Sequence, residues 1–321
     1  MTDQLQGLLV CPACHGQLAW SREKIQCEAC ARVYPIADGI PILLLDQAAA
    51  EHDELEHQTR GHKHRQAAFF DQQVAAEFEI TRPHGTPGLY HRLLDEKFRR
   101  SVMGLESILL GATALTVCAG SGMDAEFLAR AGAHVIASDI SLGAAQRARE
   151  RTRRYGLAIT PLVADVEHLP FRDQTVALVY VHDGLHHLEE PGAGLAEMAR
   201  VAARAVSVTE PARAAVTALA VRLGLALARE EAGNRVARLL PAEVAAELRA
   251  RGFRVVHADR YAMYYRHEPG SIMRTLSAPG LFGVSQAAVS LGNVLIGRWG
   301  NKLRVTALRV RSEVAGLIPG E

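Results

Sequence analysis

From Thr113 onward, short apolar runs alternate with stretches of helical spacing. The runs near 114–118, 133–138, 159–164, 176–181 and 204–209 read as strands, and 123–131, 141–155 and 192–202 as the helices between them. Repeating βα units with apolar strands predict an α/β fold, a parallel sheet covered on both faces. Ligands of such sheets lie at the carboxyl ends of the strands, at the topological switch point. Further on, "RLLPAEVAAELRARGFRVVHADRYAMYY" predicts a helix, a turn at Gly252 and a sixth strand, and "KLRVTALRVRS" predicts a seventh. An insertion at about 263–301 separates them. Upstream, residues 47–112 form a charged, histidine-rich linker followed by helices broken at Pro83 and Pro87. The pattern thus divides the chain into 1–46, 47–112 and 113–321.

The first segment carries four of the five cysteines, Cys11, Cys14, Cys27 and Cys30, as C-P-A-C, twelve residues, then C-E-A-C. Two C-x-x-C knuckles joined by a hairpin suit tetrahedral zinc, and four thiolates close its coordination, which makes the metal structural. Metal binding would supply folding energy that so short a segment lacks. With the following "RVYPIADGIPILLLD", residues 7–46 resemble the Trm112-like zinc ribbons. The resemblance implies that an activator of methyltransferases, normally supplied in trans, is here fused in cis. His52, His57, His62 and His64 in the linker lack regular ligand spacing and are expected on a solvated helix. Tyr90 and His91, in the lead-in helices, are candidates to reach the ligand site as part of a lid.

In "TVCAGSGMDAEFLARAGAHVIASDIS", Gly120, Gly122 and Ala125 fit G-x-G-x-x-G/A and Asp139 ends the next strand. A pyrophosphate needs backbone N–H groups and a helix N-terminus free of negative charge. Here the helix opens with Asp124 and Glu126, which suit the helix dipole but repel a phosphate. S-adenosylmethionine presents a sulfonium and an ammonium instead. Asp139 is placed to accept the ribose hydroxyls, and Asp165, ending the third strand in "LVADVEHLPF", the adenine amino group.

Five pieces in order, "CAGSGMD", "SDIS", "ADVEHLPF", "VYVHDGLHHLEEP" and "EMARVAARAVSVTEP", make residues 113–210 resemble the class I S-adenosylmethionine-dependent methyltransferases. The resemblance implies a Rossmann-like seven-stranded sheet whose last strand is antiparallel. It also implies a cofactor site at Cys118, Gly120, Gly122, Asp124, Asp139, Ile140, Asp165, Val166 and His182. Two positions depart from the family: Cys118 stands where an acid is usual, and Asp124 where the third loop glycine is usual. Asp124 is a candidate to take over the hold on the methionine ammonium.

Methyl transfer from a sulfonium is an in-line displacement. The protein supplies alignment and dryness, plus a base when the nucleophile must lose a proton. His182 and His186 are the candidate bases, His182 foremost because it lies nearest the strand end. Tyr261, just before the insertion, and Tyr264 and Tyr265 within it are candidates for substrate contact.

A net charge of +1 gives no global signal for polyanion binding, although from Ala212 onward basic residues, nearly all Arg, outnumber acidic ones. The uncharged stretch from Thr275 to Gly297 is long enough to span a bilayer, but its Gln286, Asn293, serines and glycines favour a buried or interfacial helix. Without a recognisable signal peptide the expected location is cytoplasmic, with peripheral lipid contact and a homodimer both open. The expected activity is methyl transfer to a small, apolar metabolite. One alternative is an RNA methyltransferase that holds RNA through the ribbon and the C-terminal arginines. The other is a non-catalytic scaffold or activator that keeps the cofactor fold.

Overall fold

A computed structural model describes residues 3–45, 54–72, 76–214, 222, 239–263 and 267–310. Its centre is the run β5 (Thr113–Val117), β6 (His134–Asp139), β7 (Ile159–Ala164), β8 (Val176–His182) and β9 (Ala202–Pro211). These five pair in parallel in the order β7-β6-β5-β8-β9. β10 (Phe253–Tyr261) and β11 (Lys302–Arg309) close the sheet, with β11 antiparallel to both of its neighbours. The seven strands and the antiparallel last one match the expectation from sequence. Near-continuous burial along β5 and β8 follows from helices on both faces. One face carries Leu115, Val117, Val179, Val181 and Val206, the other Ala114, Val135, Leu178 and Tyr180.

The chain order reverses between β5 and β8, so the crevice opens at their carboxyl ends. The intervening helices have ordinary start and stop signals. The helix Leu142–Tyr155 is capped by the Ser141 hydroxyl, which accepts from the Ala144 N–H, and ends at Gly156 with φ of 61°. The helix Pro191–Val201 has proline in its first turn.

The amino-terminal segment is not an appendage. Its strands β1 (Leu18–Trp20), β2 (Lys24–Cys27), β3 (Val33–Ala37) and β4 (Ile40–Leu43) form an antiparallel meander. β4 then pairs in parallel with β7, Ile42 opposite Val163 and Leu43 opposite Ala164, which extends one sheet to eleven strands. An edge that would otherwise expose unpaired backbone groups is thereby covered. Val10 N–H donates to the Pro170 carbonyl, and Leu5, Leu9, Leu18, Ile25 and Tyr34 belong to the same buried cluster as Leu169 and Phe171.

Candidate active site

The ribbon sulfurs of Cys11, Cys14, Cys27 and Cys30 lie within 4.8 Å of one another. The Cys11–Cys30 and Cys14–Cys27 separations are 3.7 and 3.5 Å. A tetrahedron with metal–sulfur arms of about 2.3 Å has edges of about 3.8 Å, so the four thiolates fit zinc. A Cβ on Gly16 would lie 3.1 Å from the Cys27 sulfur and 3.3 Å from that of Cys14, so the cradle requires glycine there. The Tyr34 hydroxyl lies 3.0 Å from the Cys11 sulfur as a second-layer partner. Among the described residues no histidine joins a metal-ligating group.

A cavity of about 1120 Å³ opens at the carboxyl ends of the parallel strands. Cys118, Gly120, Asp124, Asp139, Ile140, Asp165, Val166, His182 and His186 all line it. The loop after β5 is tight. Cys118, Gly120 and Gly122 have φ of 50°, 52° and 78°, and a Cβ on Gly122 would lie 3.1 Å from that of Ala148. Gly122 therefore permits the close packing of the helix Met123–Arg130 on its neighbour. Asp139 accepts from the Gly120 N–H at 2.8 Å and from the Ser141 N–H at 3.0 Å, which clamps strand end to loop. Burial raises its carboxyl above the ordinary value, against the pull of these two N–H groups. Asp165 accepts from the Glu167 N–H at 3.0 Å and from the Lys63 ammonium at 2.6 Å. Lys63 also pairs with Glu167.

The floor of the crevice is a charged relay. The Nδ1 of His182 lies 3.0 Å from both Asp124 oxygens, and the Tyr180 hydroxyl donates to Asp124 Oδ1 at 3.2 Å. Burial disfavours the Asp124 carboxylate, but His182 and Lys97 overcome it and hold the group at about 2. On the other side, His182 Nε2 is buried and lies 3.2 Å from Asp183 Oδ2. Asp183, at φ of 51°, is paired with Lys302 and stands 3.8 Å from Lys97. Burial lowers the Lys97 ammonium below its ordinary value. His186 has a different setting. Its Nδ1 lies 2.7 Å from the fully buried Glu210, whose carboxylate also accepts from the Gly184 and Leu185 N–H groups at 2.8 and 2.7 Å. A Cβ on Gly184 would fall 2.4 Å from that of Cys118, so the turn after β8 and the loop after β5 touch. The Cys118 side chain packs into that crossing, and burial raises its thiol well above the ordinary value.

The helix Glu54–Asp71 departs from the expected solvated linker. His62, Lys63, Gln66, Phe69 and Phe70 line the cavity. Its last residue, Asp71, accepts from the Ser141 hydroxyl at 2.6 Å and the Gly143 N–H at 2.8 Å, which pins it over the crevice. Of the linker histidines, His52 and the side chain of His57 lie outside the described residues. The following helix Ala76–Thr81 is held by Arg151, whose buried guanidinium donates to the Ser121, Glu79 and Arg82 carbonyls and to Glu126.

Tyr90 and His91 do not line the crevice, contrary to expectation. Tyr90 is fully buried and donates to the His267 carbonyl at 2.6 Å, while His91 is exposed. The helix Gly88–Val102 presents Leu89, Tyr90, Leu93, Leu94 and Lys97 inward, and it is Lys97 that reaches the cavity. Tyr261 is likewise buried, among Leu89, Leu93 and Met263, rather than facing the crevice. Tyr264 and Tyr265 lie outside the described residues.

Comparison with known proteins gives two family matches, a methyltransferase domain at residues 114–204 and a Trm112p-like protein at residues 6–39. Demethylmenaquinone methyltransferase of Renibacterium salmoninarum is 34% identical over 135 residues, 42% of this chain and 53% of that protein. The enzyme of the same name from Thermobifida fusca is 35% identical over 107 residues, 32% of this chain and 44% of that one. The chain thus spans about half the length of the curated relatives it matches. Among solved structures, magnesium protoporphyrin IX methyltransferase from Synechocystis PCC 6803 with bound SAH has a TM-score of 0.52 at 17% identity, covering 77% of this chain and 100% of that one. Strand order, crevice and cysteine cluster agree with the matches: residues 6–39 match a Trm112p-like protein and residues 114–204 a methyltransferase domain, and the two lie in one α/β sheet.

Proposed function

We propose that this chain binds S-adenosylmethionine in the crevice and transfers its methyl group to a small, apolar acceptor. The observation that carries the reading is the set of three carboxylates, Asp124, Asp139 and Asp165, facing one cavity beside a glycine loop. Asp139 holds the ribose hydroxyls with lone pairs that Gly120 and Ser141 leave free, since an ionised carboxylate accepts about four hydrogen bonds. Asp165 takes the adenine amino group beside the Lys63 ammonium, with Ile140 and Val166 flanking the ring. Asp124 faces the cationic methionine end, in place of the acid that Cys118 does not supply. The ligand brings the activated methyl group, and the protein's work is alignment and exclusion of water.

The cavity is larger than the roughly 300–1,000 Å³ of common small-molecule sites, which leaves room for an acceptor beside the cofactor. Phe69, Phe70, Leu188 and Met263 give its wall an apolar share. The relatives' names point to a lipophilic ring compound as the acceptor. His182 is the group we assign to the acceptor's proton. Asp124 orients the ring through Nδ1, and Nε2, beside Asp183 at the cavity wall, is the nitrogen we assign to the transfer. His186, tied to Glu210, positions the turn 184–187.

Methyl-tritiated S-adenosylmethionine incubated with the chain and a cell extract tests the acceptor class. Label should enter the organic phase on solvent partition and be absent from RNA. Label in RNA would replace the proposed acceptor with a nucleic acid.

A further inference from the structure

The helix Pro279–Ile296 reverses the usual arrangement of a surface helix. Its two polar side chains of any length, Gln286 and Asn293, lie on the half-buried side, with Phe282 and Val289. Its solvent side is Leu281, Val284, Ala287, Ala288, Leu291, Val294 and Leu295, all exposed, with Val294 at 81%. Ile272, Leu276 and Trp299 extend the same apolar surface at its ends. So large an exposed apolar patch marks an interaction surface.

Two observations select the occupant. First, the helix is held flat against the body along its length. The Leu89 N–H donates to the Ser277 hydroxyl ahead of it, and near its end Asn293 exchanges hydrogen bonds of 2.8 and 3.0 Å with the Ala262 backbone. By length and composition the segment Pro279–Trp299 would span a bilayer, but its tethered side leaves only sideways entry. Second, the segment's own flanks are cationic. No acid occurs between Glu268 and Glu313, and exposed Arg274 and Arg298 bracket the helix, Arg298 stacked over the Trp299 ring at 3.8 Å. Apolar side chains between arginines and an interfacial tryptophan complement an anionic bilayer surface.

We propose that this helix docks the protein on anionic phospholipid membranes, lying in the interface with its apolar side among the acyl chains. The contact itself is independent of the methyl-transfer reading. Its use rests on that reading: His267, Pro269, Gly270 and Arg274 lie at the helix root and line the crevice, so a membrane-dissolved acceptor would enter beside the docked face.

Flotation of the full chain with vesicles of phosphatidylcholine, alone and with one-third phosphatidylglycerol, tests this. The protein should float with the anionic vesicles, and brominated lipid should quench a tryptophan signal that Trp299→Phe removes. The triple variant Val284→Glu/Leu291→Glu/Leu295→Glu should lower vesicle partitioning at least tenfold, an approximate figure for losing three inserted apolar groups. Its melting temperature and its affinity for S-adenosylhomocysteine should not change, which separates lost docking from lost folding or a failed cofactor assignment. Val310→Glu, an exposed apolar position on β11's far end, should float like the parent. Vesicles that leave the parent chain unbound, or bind the triple variant equally, would overturn the proposal. So would a dimer in sedimentation that the triple variant dissociates while neither form binds vesicles.

Discussion

Single side chains decide what the crevice can hold. Asp139 and Asp165 were legible because each ends an apolar run, where a carboxylate is out of place unless it serves a site. Lys97, Lys302, Glu210 and Arg151 were not. Each comes from a segment distant from the nucleotide loop and becomes part of the crevice or its support only through packing, and no spacing signals that. Glu210 left the one usable trace, an acid at the end of the apolar strand "AVSVTE". His182→Gln should cut turnover by about 10²–10⁴, the usual worth of a positioned base, with S-adenosylhomocysteine affinity within about threefold of the parent. A turnover loss matched by an equal loss of affinity would make His182 a cofactor-positioning residue instead. Asp124 also has a pH signature. Its folded value of about 2 lies below the roughly 3.9 of an unfolded chain, so its stabilisation is complete above the unfolded value and is lost as pH falls through the folded one. Melting temperature should therefore fall more steeply between about pH 4 and pH 2 in the parent than in Asp124→Asn. Parallel acid limbs would refute the ion pair with His182.

At the scale of elements, periodicity gave the strands and helices of 113–210 closely, because strands buried on both faces and capped helices carry strong local signals. The lead-in helices were harder. Their charge and histidine content read as solvated, yet Lys63 and His62 are polar because they face a polar crevice rather than water. Arg151 shows how firmly this lid is fastened. It joins the helix Ala76–Thr81, the glycine loop and Glu126 through one buried guanidinium. Arg151→Met leaves Glu126 partly unpaired and removes the bonds to three carbonyls, so a loss of about 3–5 kcal/mol is expected in chemical denaturation. A loss below about 1 kcal/mol would mean that the lid is not anchored there.

Across the whole molecule, the ribbon and the catalytic layer share one sheet and one core. The cysteine spacing announced the zinc ribbon, but nothing in the sequence announced that β4 would continue the sheet. Parallel pairing between strands more than a hundred residues apart has no local code. The join has a mechanical consequence, because β4 flanks the strand that leads into Asp165. Stripping zinc with a chelator should release one metal ion per chain, lower the melting temperature and weaken cofactor binding, the last because Asp165 loses its buttressed strand. Unchanged cofactor affinity after complete metal loss would show that the two modules are mechanically independent.

The central claim is that the crevice holds an adenosine sulfonium against carboxylates. Calorimetric titration of the full chain with S-adenosylhomocysteine and with NAD tests it most directly. The account predicts saturable one-site binding of S-adenosylhomocysteine, weakened at least about 100-fold (about 2.7 kcal/mol) in Asp139→Ala, and no tight uptake of NAD. Tight NAD binding with indifference to S-adenosylhomocysteine, or an Asp139→Ala variant that binds as well as the parent, would contradict it.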